Sequence, residues 1–337
     1  MVMFPFPIKP KKLKIGDHVR VIAPSRSIAI VSKENINFAM SALKATGLNV
    51  SFGRNVNEKD IMLSSSVNSR LDDLHEAFSD QTVNGILTVL GGYNSNQLLD
   101  GIDYTLIASN PKVLCGFSDI TALSNAIYAK TGLISYSGPN FSSFAMQNGF
   151  EHTKEYFQKM LFNQGTVSVV PSSEWSSDGA WYLNQSNRTF LKNPGMRVIN
   201  TGIASGKIIG GNLGTLNLLR GTPYMPCLEE SILFLEEVAS YPDETGIFEF
   251  DRMLQSLTQA EDFSGVKAIV FGRFETSFKM ATEKFQYIID SKPALKNIPI
   301  ICDADFGHTT PIITFPIGGW CQLETQSNGT VNLSFVD

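Results

Sequence analysis

The chain is poor in cysteine, in histidine and in surplus positive charge, and each shortage closes a class of function. Its four cysteines (Cys115, Cys227, Cys302, Cys321) stand far apart, with no C-x-x-C pair. They offer neither the framework of a small secreted domain nor a paired-thiolate metal site, and they read as reduced intracellular thiols. Only four histidines occur, none at ligand spacing from another, so no metal is expected. Lysine and arginine number 27 against 32 acidic residues, a net charge of −5. That balance lacks the basic footprint of a general nucleic-acid binder.

Long apolar runs are also missing. Thr131 to Phe150 carries no charge but is interrupted by Ser, Asn, Gly and Pro, so it is not a membrane span. The apolar start, Met1 to Ile8, is short, holds two prolines and precedes its lysines, the reverse of a signal peptide. A cytoplasmic protein with no membrane or nucleic-acid partner is expected. With 27 Gly and 15 Pro in 337 residues there is no low-complexity or collagen-like bias. What is present is a core: 43% of residues are apolar, among them 23 Phe, 9 Tyr and 3 Trp. Such a chain folds, as two domains or one large one.

Short apolar runs alternate with helical periodicity through the first half. His18–Ala23, Leu48–Phe52, Gly85–Leu90 and Lys112–Cys115 read as strands. Ile36, Ala39, Met40 and Leu43 mark one helix face, and Leu71, Leu74 and Phe78 another. A further helix runs from Ile120 to about Lys130. This alternation predicts a parallel sheet flanked by helices, with ligands at the carboxyl ends of the strands. Gly91-Gly92 and Ser118 fall at such ends. Residues 166–205 break the pattern, with Trp175 and Trp181 among many Ser and Asn. They read as a connection, either a plain surface linker or a loop whose aromatics stack on a flat ligand. From 206 onward come strands at Gly206–Gly210, Ser231–Leu235, Val266–Phe271 and Ile298–Cys302, then short strands from Ile312 to Val336. Ile247, Phe250, Leu254 and Leu257 form a helix face. The expected units are therefore 1–165, 166–205 and 206–337. No solenoid-type repeat is present.

Three residues could carry chemistry. Ser118 follows a strand and Gly116 and precedes a helix, the setting of a nucleophile elbow. Ile120 stands where that pattern has Gly, and Ser is also a favoured helix N-cap, so both readings stay open. His308 lies in a Gly-His-Thr-Thr-Pro loop after a strand, where an imidazole suits proton transfer; a surface histidine is the alternative. Glu236 ends an apolar strand, so its carboxylate needs a buried partner such as a histidine N–H, or forms a strand-end salt bridge. His75 and His152 sit among charged neighbours and read as solvated. Cys115 is a rival nucleophile, but its apolar strand argues for an inert, buried thiol. Gly91-Gly92 and Gly210-Gly211-Asn212 bring backbone close to a ligand without matching a Walker loop or a dinucleotide fingerprint.

Together, Leu90–Leu99 (LGGYNSNQLL), Asn110–Leu123 (NPKVLCGFSDITAL), Ile209–Leu213 (IGGNL), Leu233–Glu237 (LFLEE), Phe271–Glu275 (FGRFE) and Gly307–Pro311 (GHTTP) resemble the LD-carboxypeptidase family of serine peptidases, within it the microcin C self-immunity branch. The resemblance spans nearly the whole chain. It implies an N-terminal parallel α/β domain, a β-rich C-terminal domain and a site between them, in a cytoplasmic homodimer that needs no cofactor. It implies a Ser118-Glu236-His308 triad, oxyanion donors at the N–H groups of Gly92 and Asp119, and substrate contacts at Tyr93, Trp181, Asn212 and Glu275. The implied substrate is an aminoacyl-nucleotide, cleaved at its amide. Alternatives are a murein tetrapeptide losing its terminal D-alanine and, from another class, a non-catalytic nucleotide-binding module. Leu90, where the murein type usually has Arg, and the tryptophan loop tilt towards the immunity branch.

Overall fold

The computed structural model describes residues 6–179, 185–241 and 244–336. Two sheets organise them. The first is six-stranded, in the order Phe315–Ile317, Ser135–Ser137, Val113–Gly116, Gly85–Thr88, His18–Ile22, Asn49–Phe52. Its neighbours run parallel except for the antiparallel edge pair of Phe315–Ile317 with Ser135–Ser137. Gly85–Thr88 and Val113–Gly116 are buried at every position, which is why they read as unbroken apolar runs. The edge strand comes from the C-terminal half, so the chain returns to close the sheet it began.

The second sheet has eight strands, ordered Val167–Ser168, Val331–Val336, Trp320–Thr325, Gly202–Asn212, Ser231–Glu236, Ala268–Gly272, Ile300–Ala304, Arg197–Asn200. Its middle, from Gly202–Asn212 to Ile300–Ala304, is parallel, and antiparallel strands flank it. Ser231–Glu236 and Ala268–Gly272 are wholly buried. Each Leu, Ile or Phe so buried contributes roughly 1.5–3 kcal/mol. Segment 166–205 supplies strands to this sheet at both ends and a two-stranded ribbon of Glu174–Trp175 with Leu191–Lys192. It is therefore built into the fold and is not a free linker.

The helices follow from local signals. Lys33–Lys44 starts where the Ser32 hydroxyl accepts the Asn35 N–H, buries Asn35, Ala39 and Leu43, and is followed by Gly47 at φ +88°. Val67–Ser79 is capped by Ser66 in the same way. Thr245–Thr258 buries the expected Ile247, Phe250, Leu254 and Leu257. Glu151–Leu161 holds His152 in a helical pattern, and Tyr104–Ser109 and Thr282–Asp290 are helices that the periodicity did not single out.

Ile120–Thr131 buries ten of its twelve residues, because it packs between the two sheets. Asn125 exchanges two hydrogen bonds with the backbone of Gly210, Nδ2 to O at 2.8 Å and N to Oδ1 at 3.2 Å. Thr121 Oγ1 accepts the Asn212 N–H at 2.9 Å. Gly210 and Gly211 have φ of +140° and +122°. A Cβ on Gly210 would lie 2.0 Å from the Phe234 carbonyl oxygen, and one on Gly211 would lie 2.3 Å from Thr121 Oγ1. The second diglycine is thus where the halves of the molecule are joined. Gly210→Ala should destabilise the protein by roughly 3 kcal/mol through strain and overpacking, read as a lowered urea midpoint.

Candidate active site

Ser118 sits at the turn between Val113–Gly116 and Ile120–Thr131 with φ +66°, a left-handed conformation that a non-glycine residue adopts at a cost. It is not the helix cap: that position belongs to Asp119. The turn is an elbow in spite of Ile120, which is fully buried. Gly116 makes the elbow possible, since a Cβ there would lie 2.1 Å from Thr88 Oγ1 and 2.9 Å from Asn140 Oδ1.

Ser118 Oγ lies 3.0 Å from His308 Nε2, and His308 Nδ1 lies 2.7 Å from Glu236 Oε2. An ionised carboxylate only accepts, so Nδ1–H donates to Glu236 and Nε2 is left to face the serine oxygen. The three residues, 72 to 190 positions apart, form one connected relay. Glu236 is 4% exposed, and its other oxygen, Oε1, has no hydrogen-bond partner among the described residues. Two glycines make room for it: a Cβ on Gly307 would lie 2.9 Å from Glu236 Oε2, and one on Gly272 2.9 Å from its Cβ. The His308 loop is held by the connecting segment, where Ser176 and Thr310 exchange backbone hydrogen bonds of 2.7 Å. Arg188 Nη2 also donates to Thr310 Oγ1 at 3.2 Å.

Carboxylates set the electrostatics. Burial works to lower the His308 pKa, but the charge and hydrogen bond of Glu236, then the fields of Glu275 and Glu237, outweigh it and hold the pKa above its ordinary value. Glu237 is raised by burial and by the neighbouring Glu236 charge, against hydrogen bonds from Val238 N–H, Asn212 and Gly214 N–H. Glu275 is raised chiefly by burial, and accepts the Ala239 N–H at 2.7 Å.

A cleft of about 490 Å³ opens over Ser118 and His308. One wall carries Arg26 and Leu90 to Tyr93; the lining also includes Asn140, Asn212, Gly214, Thr215 and Glu237. Gly91 is forced by proximity, because a Cβ there would lie 2.8 Å from Ser118 Cβ and 3.0 Å from its Oγ. Asp119 fastens this wall to the elbow: its Oδ2 accepts from Ser25 Oγ at 2.5 Å and from the N–H groups of Asn94 at 3.0 Å and Ser95 at 2.9 Å. Asn212 caps the short helix Leu213–Asn217, and its Nδ2 donates to Glu237 Oε1 at 3.1 Å.

The expected residues separate into groups. Ser118, Glu236 and His308 meet; Gly92, Asp119, Tyr93 and Asn212 line the same cleft. Glu275 lines a neighbouring cleft with Trp175, whose ring takes the Arg273 guanidinium at 4.9 Å. Trp181 lies outside the described residues. Cys115 is 1% exposed and its thiol is pushed up by burial, so the thiol-hydrolase alternative finds no support. His75 accepts the Asp103 N–H at 3.0 Å and His152 packs on Tyr156 at 4.9 Å; both are half-buried rather than solvated. Sequence reasoning missed the Asp119 side chain, Ser25, Arg26, Asn140 and Asn125. Ser25 and Arg26 were detectable as residues following a strand's carboxyl end. Among the described residues no three His, Cys, Asp or Glu side chains converge to hold a metal ion. No described helix is long and apolar enough to cross a membrane.

Two parallel-core sheets with a Ser-His-Glu relay between them define a class of serine hydrolase, and the comparisons agree. Residues 19–138 match the LD-carboxypeptidase N-terminal domain and 205–323 the LD-carboxypeptidase C-terminal domain. The chain belongs to the LD-carboxypeptidase family, serine-type carboxypeptidases. A crystal structure of an MccF-like protein from Bacillus anthracis is 51% identical, with a TM-score of 0.95 over 98% of this chain and 99% of that one. A Bacillus subtilis relative that bears a carboxypeptidase name, YocD, is 49% identical over 94% of this chain and 96% of its own. The microcin C7 self-immunity protein MccF of Escherichia coli is 30% identical over 94% and 93%. Gly91→Ala should lower kcat about 100-fold or more and lower the melting temperature, since the added methyl displaces Ser118 at its Cβ and Oγ.

Proposed function

We propose that the protein hydrolyses an amide bond through an acyl-enzyme, with Ser118 as nucleophile, His308 as general base and Glu236 holding the imidazole. The observation that carries this reading is the unbroken Ser118-His308-Glu236 hydrogen-bond relay. Neutral His308 takes the Ser118 proton as Oγ attacks the carbonyl. The oxyanion is met by the Gly92 and Asp119 N–H groups, each such donor accounting for roughly 2.7–4 kcal/mol. His308 then protonates the leaving amine, and water releases the acyl group. In this reading residues 1–165 carry the nucleophile, 206–337 carry Glu236 and His308, and 166–205 form the connection. Tyr93, Trp181 and Asn212 are its substrate contacts, and Glu275, expected among them, acts from the neighbouring cleft through its charge on His308. The protein acts in the cytoplasm as a homodimer.

The substrate proposed is an aminoacyl group in amide linkage to a nucleotide-like moiety. Support comes from the high similarity to an MccF-like structure and from MccF itself, whose 28%-identical structures hold glutamyl sulfamoyl guanosine and aspartyl sulfamoyl adenosine. Leu90 in the cleft wall agrees with that branch. A second reading, release of D-alanine from an L,D-linked murein tetrapeptide, is favoured by similarity to the murein tetrapeptide carboxypeptidase of Pseudomonas aeruginosa, 26% identical over 92% of this chain.

Ser118→Ala should cut hydrolysis of an aminoacyl-sulfamoyl-adenosine by roughly 10⁴–10⁶-fold with unchanged circular dichroism, and a serine-directed phosphonate should label Ser118 in the wild type alone. Ligand binding without turnover or labelling would make the protein a non-catalytic binding module. The raised His308 pKa also fixes a sign. The base works only when neutral, so activity rises with pH through that pKa, and the acid limb of kcat/KM lies above pH ~6.5. Glu236→Gln removes the strongest raising interaction, so whatever activity survives should show that limb at lower pH.

A further inference from the structure

We propose that Arg26 anchors the negative charge of the leaving group, binding a carboxylate or a phosphate-like oxyanion against the diglycine wall of the cleft. The proposal rests on reading this cleft as the hydrolytic site, and adds to it the chemical class and orientation of the ligand.

Arg26 belongs to the loop that leaves His18–Ile22 at its carboxyl end. Its neighbour Ser25 is fixed on both sides: Oγ donates to Asp119, and the carbonyl oxygen accepts from Ser64 Oγ at 2.5 Å. The Arg26 stem lies so close to Gly92 that a Cβ there would be 2.9 Å from Arg26 Cγ. The guanidinium lies over the Tyr93 ring, 5.0 Å from its centroid, and that ring is 73% exposed. Together they form a flat cationic and aromatic platform at the cleft edge.

The guanidinium is held but unspent. Its Nε is buried with no hydrogen-bond partner, and no carboxylate pairs with it among the described residues. Asp119, in the same lining, already accepts from Ser25, Asn94 and Ser95. Among the described residues that line the cleft, Arg26 is the one arginine or lysine; the other ionisable ones are Tyr93, Asp119, Glu237 and His308.

Contacts order these charges. Arg26 abuts Gly92; Gly91 abuts Ser118; Ser118 meets His308, which meets Glu236, beside Glu237. Arg26 therefore meets the serine through the diglycine, whereas Glu236 and Glu237 meet it through His308. A carboxypeptidase substrate keeps its α-carboxylate on the leaving amino acid, and an aminoacyl-nucleotide keeps its phosphate or sulfamate on the leaving nucleoside. In both, negative charge lies on the leaving side of the scissile amide. The guanidinium fork suits such a group. The leaving group thus faces Arg26 and Tyr93, and the acyl group faces Asn212 and Glu237.

The test uses the full chain carrying Ser118→Ala, so that affinity is read without turnover. Calorimetry compares adenosine monophosphate with adenosine, and an L,D-linked tetrapeptide acid with its C-terminal amide. The anionic member of at least one pair should bind at least about tenfold more tightly. Adding Arg26→Ala should erase that preference and leave the neutral member's Kd unchanged, which also certifies the fold; Arg26→Lys should restore part of it. The pair that shows the preference identifies phosphate or carboxylate as the charge read. Equal affinities within both pairs, a preference that survives Arg26→Ala, or no binding of either anionic probe overturns the proposal. Wild-type turnover without charge preference removes only this inference. A preference lost with Arg26 but without turnover removes only the hydrolytic reading.

Discussion

Everything at the site depends on one buried amide side chain. Asn125 pairs with both backbone groups of Gly210, and through that exchange the helix behind Ser118 is locked to the central strand of the second sheet. Buried away from water, these groups are costly to leave unpaired, so the register between the halves is strongly specified. Thr121 repeats the contact one turn earlier on the helix, at Asn212. The next strand, Ser231–Glu236, pairs in parallel with Gly202–Asn212 and ends on the acid of the relay. The position of Glu236 relative to Ser118 is thus inherited from a packing contact, which explains why these glycines tolerate no Cβ.

Around His308 the fold concentrates carboxylates in place of pairing them. Glu236, Glu237 and Glu275 are all sheltered, and their combined field overcomes the burial that would otherwise drive the imidazole neutral. Arg273 is turned towards Asp305 and Asn193, bracing the connecting segment. The negative charge needed to favour a transient imidazolium is therefore left intact. Its cost falls on Glu237 and Glu275, whose carboxyls are pushed up and which rely on backbone N–H groups for relief.

Much of this was legible in the chain. Strands buried on both faces announce themselves as apolar runs, and the Ser118 elbow, the Glu236 strand end and the His308 loop were visible as chemistry-bearing residues at carboxyl ends. The N-cap alternative for Ser118 failed because φ +66° is incompatible with capping and compatible with an exposed nucleophile. Segment 166–205 looked like a linker because its strands are two to four residues long, too short for periodicity to register. The solvated reading of His152 failed because its neighbours in sequence are polar while its neighbours in space include the Tyr156 ring and the Val170 backbone.

Sequence by itself determined the local grammar: which stretches become buried parallel strands, where glycine is compulsory, and which three side chains carry a hydroxyl, an imidazole and a carboxylate at strand ends. Only the tertiary structure decided that Asp119 fastens a neighbouring loop, that the second diglycine joins two sheets, and that Arg26 enters the cleft over Tyr93. The reason is that secondary structure is written in spacings of two to four residues, whereas charge pairing and close backbone approach depend on distances between segments that no local pattern records.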